Sequence, residues 1–311
     1  MNVSCSSTST SDNRETLYLI GGSGFIGKNL VRCLSPYYRI IVFDKYIDAG
    51  YFINYPDVET VTMDLATERI AETYPTPDYI INLASIVTAT RDLSLFDALI
   101  TSNLKILLNL YERFKGDKSL KLFVQFGSSE EYGSEGSPFK EENRECPNSP
   151  YALVKQLTTN TALMLCRNYG FPVLVVRPGN LFGPGQSKSK FIPYVIDSLK
   201  KGTPLDVSPC GQKRDFIYVD DFAAAIHGLM QHAEDCRGEI VNVSSGTSIA
   251  LKDIIEFCRN YLHSASEVHY GALPYRENEA MDLRCDVGKM RGILGQENNH
   301  TMKYLKQMCN E

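Results

Sequence analysis

Leu17-Tyr-Leu-Ile20-Gly21-Gly-Ser-Gly24-Phe-Ile-Gly27 decides how this chain folds. Four apolar residues read as a buried strand, and Lys28-Asn-Leu-Val-Arg-Cys-Leu34 continues in a helical pattern. The glycines between them mark the turn that joins strand to helix. Gly21 suits a tight turn, Gly24 lets the backbone approach a pyrophosphate, and Gly27 lets helix and strand pack closely. Phe25 and Ile26 lie on the same turn, and a pyrophosphate held there would meet the positive end of the helix.

The next stretches extend that unit. Arg39-Ile-Ile-Val-Phe-Asp44 is a second buried-strand pattern, and its terminal carboxylate stands about twenty residues past the glycines, where it would bind ribose hydroxyls. Asp44 therefore favours NAD over NADP, although Lys45 directly after it argues the other way. Val58–Met63 reads as a third strand, with Asp64-Leu65 placed for an adenine edge. Asp78–Ala84 is a fourth, and Leu83-Ala84 at its end would lie against the cofactor. A long helical pattern, about Leu93 to Phe114, carries Asn103. Leu120–Phe126 and Phe171–Arg177 are the fifth and sixth strands.

Strands that alternate with helical segments predict an α/β fold, a doubly wound parallel sheet of the Rossmann kind. After Arg177 the texture changes: Pro178-Gly-Asn-Leu-Phe-Gly-Pro-Gly-Gln is a loop leading into a smaller C-terminal α/β region. We expect a dinucleotide-binding domain over 16–177 with returning segments near 216–245. A substrate-binding region would occupy 178–215 and 246–311, and residues 1–15, rich in Ser and Thr, would be a disordered leader. Within the second region, helices are expected at Phe191 to Lys201, about Asp221 to Gln231, Leu251 to Tyr261 and Thr301 to Met308, with a strand near Leu205 to Val207. Glu239–Val243 reads as a strand that rejoins the main sheet.

Ligands of such sheets lie beyond the carboxyl ends of the strands. Gly127-Ser-Ser-Glu-Glu-Tyr-Gly133 falls at that edge, and its Ser128 could bond a substrate hydroxyl. Tyr151-Ala-Leu-Val-Lys155 follows Ser149-Pro150, a helix-start signal, so its tyrosine and lysine share one helix face. A phenol with a pKa near ~10 is a poor base at neutral pH unless positive charge stabilises its phenolate, and Lys155 can supply such charge.

Composition narrows the function classes. The chain has 311 residues, 43% of them hydrophobic, enough for a sizeable core. With 32 Lys and Arg against 37 Asp and Glu, the net charge is −5, and no long basic block is present. That balance argues against nucleic acid or a membrane surface as partner. No apolar run approaches the ~20 residues needed to cross a bilayer. The nine cysteines include no Cys-x-x-Cys pair, so reduced thiols in a cytoplasmic setting are expected, and no metal site.

The glycine turn, Asp44, Asp64-Leu65, Asn103, Ser128, Tyr151 and Lys155, in that order, resemble the extended short-chain dehydrogenase/reductases of the nucleotide-sugar epimerase and dehydratase group. The resemblance runs from about Leu17 to Gly295. It implies bound NAD, with Tyr151 as acid or base on a sugar hydroxyl. Lys155 would bond the nicotinamide ribose and lower the tyrosine pKa, and Ser128 would assist. It also implies that Asn180, Arg214 and Arg276 contact the diphosphate of a nucleotide sugar, which suits the forked geometry of guanidinium on phosphate. Relatives commonly pair as homodimers through the two long helices.

Three positions depart from the pattern. Ile20 replaces a common threonine before the glycines. Glu131 stands where relatives generally have an apolar residue. Glu130 matches relatives in which that glutamate joins the chemistry, among them GDP-mannose 4,6-dehydratases and UDP-glucuronate decarboxylases, whereas simple 4-epimerases usually have a neutral residue. The Lys190–Asp197 and Pro274–Glu279 stretches look instead like sugar 4-ketoreductases of the CDP-abequose synthase kind. The expected activity is an epimerase or dehydratase that oxidises carbon 4, with a ketoreductase, a decarboxylase and a non-catalytic dinucleotide-binding subunit as alternatives.

Overall fold

The computed structural model describes residues 13–311 apart from 89, 277–278 and 296–298. Most of the expected leader thus lies outside the described residues. Its last two residues are held: the Arg14 guanidinium donates to the Ser35 carbonyl at 2.7 Å, and the Glu15 carbonyl accepts the Arg39 amide at 2.9 Å.

Thirteen strands are present among the described residues. They are β1 (Thr16–Ile20), β2 (Arg39–Asp44), β3 (Glu59–Thr62), β4 (Tyr79–Asn82), β5 (Leu122–Phe126), β6 (Val173–Pro178), β7 (Asn180–Phe182), β8 (Leu205–Val207), β9 (Lys213–Tyr218), β10 (Ile240–Val243), β11 (Ser248–Ala250), β12 (Val268–Tyr270) and β13 (Asp282–Leu283). Seven form the main sheet in the order β10-β6-β5-β4-β1-β2-β3, every neighbour parallel. Because side chains alternate across a strand, β1 sends Leu17 and Leu19 to one face and Tyr18 and Ile20 to the other. Helices Phe25–Leu34 and Val219–Gln231 cover the first face, with Leu30, Val31, Phe222 and Ile226 in the shared core. The helical run Leu93–Phe114 and helix Pro150–Tyr169 cover the second through Leu107, Leu110, Ala162 and Leu165.

Leu93–Phe114 corrects one sequence reading. By length and composition this run could cross a bilayer, yet its Leu99, Leu107, Leu110 and Phe114 pack inside the domain. Thr101–Lys105 within it is a π-helical turn. Helix Pro150–Tyr169 starts as its sequence predicts: the Ser149 hydroxyl accepts the Ala152 amide at 3.1 Å, and Pro150 occupies the first turn, where no amide hydrogen is missed.

The smaller part has β9 at its centre, paired with β7, β11 and β13, together with a separate β8-β12 pair. Its core gathers Phe182, Val195, Leu199, Phe216, Ile254 and Leu305. The return to the main sheet begins later than 216: β9 belongs to the small sheet, and only Val219–Gln231 and β10 rejoin the large one. Asp215, buried on β9, joins the two parts. Its carboxylate accepts the Ser245 hydroxyl at 2.6 Å and the amides of Ser245, Gly246 and Cys285 at 3.1 to 3.2 Å.

Candidate active site

A cleft of about 1660 Å³ opens along the carboxyl ends of the main strands and continues into the smaller part. Pockets for a single drug-sized ligand run to roughly 300–1,000 Å³, so this cleft has room for two molecules end to end. Ser128, Glu130 and Tyr151 stand in its wall together with residues of both parts.

The first half is walled by the glycine turn, Phe25, Ile26, Asp44, Asp64, Leu65, Leu83 and Ala84. Its glycines differ in what demands them. Gly21 has φ of +74°, and a Cβ there would come within 2.9 Å of the Ala84 amide. A Cβ on Gly27 would run into the Gly22 backbone. Gly24 meets nothing nearer than the Gly21 carbonyl at 3.7 Å. No part of the fold requires a glycine at 24, which leaves open space for a ligand phosphate. Asp44 accepts the Ser23 amide at 2.9 Å and the Tyr46 amide at 3.2 Å, fixing the carboxylate on the wall. Lys45 turns away from it to pair with Asp64 at 3.0 Å, so the cation that argued for a 2′-phosphate is already engaged.

Two expected cofactor contacts are not in the wall. The Asn103 amide folds back on its own helix and donates to the Leu99 carbonyl at 2.9 Å, leaving the residue buried. Lys155, 3% exposed, lies beneath Tyr151 and donates to the Phe126 carbonyl at 3.0 Å, because the last carbonyl of β5 is the nearest acceptor for a buried ammonium.

Ser128 and Tyr151 do reach the cleft. Ser128 caps the short turn Ser129–Tyr132, its hydroxyl accepting the Glu130 amide at 3.2 Å. The expected lowering of Tyr151 is reversed in the protein alone. Burial raises its phenol well above the ordinary value, the carboxylates of Glu130 and Glu131 add to the rise, and the Ser128 hydroxyl opposes it. Leu99 and Val154 pack against the tyrosine, and the Lys155 ammonium is 5.8 Å from its ring centre, already bonded elsewhere. Burial also pushes Lys155 down to about 8, with Glu131 pulling it back. At neutral pH the pair is thus a neutral phenol above a mostly protonated amine, and further positive charge is needed before Tyr151 can act as a base.

Glu130 projects into the cleft and is solvent-accessible through its mouth. Crowding by protein raises its pKa, while Arg276, Lys190, Arg214 and Arg91 oppose the rise. Water that reaches the side chain through the mouth lessens the burial penalty and screens the four cations alike. Arg91 and Lys190 were not among the expected site residues. Lys190 opens the stretch that looks like the ketoreductases, but Arg91 offers only positive charge in a loop, and neither points to Glu130 until the fold brings those loops together.

In the second half, Asn180, Arg214 and Arg276 all line the cleft. The Asn180 amide donates to the Asp215 carbonyl at 3.2 Å. Arg214 pairs with Glu279 rather than with its neighbour Asp215 and donates to the Ala280 carbonyl at 2.8 Å. Arg276 is exposed at the rim. Glu131 is fully buried. Its carboxylate accepts the Ser128 amide at 2.7 Å, the Thr159 hydroxyl at 3.1 Å and Arg177, whose Nη2 lies at 2.7 Å.

The profile of the NAD dependent epimerase/dehydratase family matches residues 17–244, well over half of the chain. The chain belongs to that family. Among curated proteins it is similar to a probable dTDP-glucose 4,6-dehydratase of Sinorhizobium fredii, 28% identical over 92% of this chain and 89% of the relative. It is also similar to the CDP-abequose synthase of Salmonella muenchen, 35% identical over 36% of this chain and 38% of the relative. Among solved structures it resembles a UDP-N-acetylglucosamine 4-epimerase of Methanobrevibacter ruminantium, with a TM-score of 0.86 at 23% identity, covering 96% of this chain and 97% of that one. As a family member the chain is an NAD-dependent enzyme of the nucleotide-sugar epimerase and dehydratase kind. The first half of the cleft fits the cofactor: the space over Gly24 suits the pyrophosphate, and Asp44 suits an unphosphorylated ribose.

Proposed function

We propose that this enzyme takes a nucleotide-diphosphate sugar, oxidises it at carbon 4 and then eliminates water across carbons 5 and 6. The observation that carries this reading is Glu130, a carboxylate in the same cleft wall as Tyr151 and two residues after Ser128 at the carboxyl end of β5. NAD, when bound, supplies the hydride acceptor and donor. Gly21, Gly24, Gly27 and Asp44 would hold it. Tyr151 exchanges the proton of the carbon-4 hydroxyl, Ser128 shares that hydrogen bond, and Lys155 contributes the positive charge that favours the phenolate. Arg276 and Arg214 hold the diphosphate, with Asn180 beside them.

A ketone at carbon 4 acidifies the hydrogen on carbon 5. Glu130 removes that proton and passes it to the departing carbon-6 hydroxyl, which leaves as water while the carbon-5 electron pair forms the double bond to carbon 6. Carbon 6 would then take back the hydride given up by carbon 4 as carbon 5 takes a proton from solvent, leaving a 4-keto-6-deoxy sugar. Epimerisation needs no such base. Incubation with UDP-, dTDP-, CDP- and GDP-sugars in deuterated water tests the reading: deuterium should enter carbon 5, and the incorporation should vanish in Glu130→Gln with NAD binding unchanged. Turnover by Glu130→Gln at the unmodified rate would eliminate the dehydratase. The 35% identity to CDP-abequose synthase over part of the chain favours a second reading, a 4-ketoreductase, which would consume added NADH or NADPH and add two hydrogens to a keto sugar.

We also propose a homodimer formed through the two long helices. Their outward residues Leu108, Leu153, Leu157 and Tyr169 are exposed in the single chain, and an isologous contact would bury them. Light scattering should report twice the chain mass of 34.9 kDa at micromolar concentration. The free thiols support a reducing, cytoplasmic setting.

A further inference from the structure

Beneath the wall that carries Ser128 lies a polar group the chemistry above does not use. Glu131 is 0% exposed, and its carboxylate receives donors from three separate elements. The Ser128 amide belongs to the turn after β5, Thr159 to the helix that carries Tyr151 and Lys155, and Arg177 to the end of β6. Arg177 is itself held, bonded to Glu145 at 2.6 Å and stacked 4.5 Å over the Tyr132 ring. The Tyr132 hydroxyl continues the chain of bonds to Asn242 on β10 at 2.8 Å. Room for the carboxylate comes from Gly127, where a Cβ would fall 2.5 Å from Glu131 Oε1 and 3.1 Å from Thr159 Oγ1. Gly127 is absent from the positive-φ glycines, so its backbone does not demand glycine, but the carboxylate does.

A buried ion pair is weak evidence for stability, since well-packed apolar residues often do as well in its place. What apolar residues cannot do is accept three hydrogen bonds from three directions. We propose that Glu131 is a positioning residue, whose carboxylate fixes the Ser128 turn against the Tyr151 and Lys155 helix and so sets the distance across which the substrate hydroxyl is shared. This inference rests on the role given above to Ser128 and Tyr151. It also supplies a reason for an acid at a position where relatives generally carry an apolar residue.

The test uses the full chain with NAD and whichever of UDP-, dTDP-, CDP- or GDP-glucose it turns over. Glu131→Gln should lower kcat about tenfold or more, while KM and NAD affinity stay within about twofold, as misplacement of a catalytic group does. Thr159→Val, nearly the same size, removes one tie and should lower kcat about threefold by the same argument. Hydrogen exchange of the peptide containing Ser128 should quicken in both variants, a readout that needs no turnover. A kcat within twofold of the unmodified enzyme in Glu131→Gln, with Ser128 exchange unchanged, would overturn the proposal. So would a loss shared equally by NAD binding and melting temperature, which would make Glu131 merely structural. If Glu131→Gln fails to fold, Thr159→Val decides, and unchanged kcat and exchange there would overturn it. Tyr151→Phe keeps the two readings apart: if that variant still turns over, the catalytic reading fails, whereas an inactive Tyr151→Phe beside a fully active Glu131→Gln removes only the positioning role.

Discussion

The cofactor half of the cleft is built around a glycine turn, whereas the substrate half carries long charged side chains. Gly21, Gly24 and Gly27 shape the first half within seven residues of sequence, and Ala84 meets them from the end of β4. The second half draws on Asn180, Lys190, Arg214 and Arg276, scattered over nearly a hundred positions and carried by loops as much as strands. A backbone cradle recognises what every NAD molecule shares. A side-chain wall can be changed one residue at a time, which is how a family keeps one cofactor and varies its sugars.

Breaking the cradle should have the largest effect. Gly27→Ala forces a methyl into the Gly22 backbone and should abolish folding. Gly24→Ala should fold with an unchanged melting curve, yet weaken NAD roughly 10- to 100-fold by displacing charged hydrogen bonds to phosphate. Calorimetric titration with NAD checks this, and full affinity in Gly24→Ala would mean that side chains, not backbone, hold the cofactor.

Arg276→Ala tests the other wall. It should raise KM roughly tenfold and leave NAD affinity unmoved. Arg214→Ala should do less, because Glu279 and the Ala280 carbonyl already engage that guanidinium. Initial rates against substrate concentration distinguish the two, and an equal loss of NAD binding would show that the halves are not separate.

The smallest expected effect sharpens the cofactor side. Asp44→Ala should weaken NAD and improve NADP relative to it by several-fold, since the charge facing a 2′-phosphate is gone. Lys45→Ala should change little, because its ammonium is already given to Asp64. Equal affinity of the unmodified protein for both cofactors would remove Asp44 from this role.

The same contrast explains what could be read from the sequence. The turn at Gly21–Gly27, the carboxylate ending β2, and the tyrosine and lysine one helical turn apart are local patterns, visible in consecutive residues. Glu131 gave only part of such a sign: Ser128 lies three residues before it, but its other partners Thr159 and Arg177 are 28 and 46 positions away, and only the fold brings them to one carboxylate. Arg214 is expected at a substrate diphosphate, but its pairing with Glu279 follows only from the fold, because alternation along β9 sends the neighbours apart, Asp215 into the interior and Arg214 to Glu279. The spacing puts Lys155 on the helix face of Tyr151, but its capture by the Phe126 carbonyl follows from burial, which spacing does not report.

The parallel sheet is closed by β10, which pairs with β6 only after the chain has made the first half of the substrate region. During synthesis, the Val173–Pro178 edge, with its run Val-Leu-Val-Val, therefore waits without its outer neighbour until residues 240–243 arrive. At roughly 5–20 residues per second that interval lasts several seconds. An uncovered apolar strand edge is a template for pairing between chains. The order of the strands thus makes the newly made protein most prone to aggregate just before its last cofactor-sheet strand emerges, and fragments cut within 179–239 should be insoluble where longer ones are not.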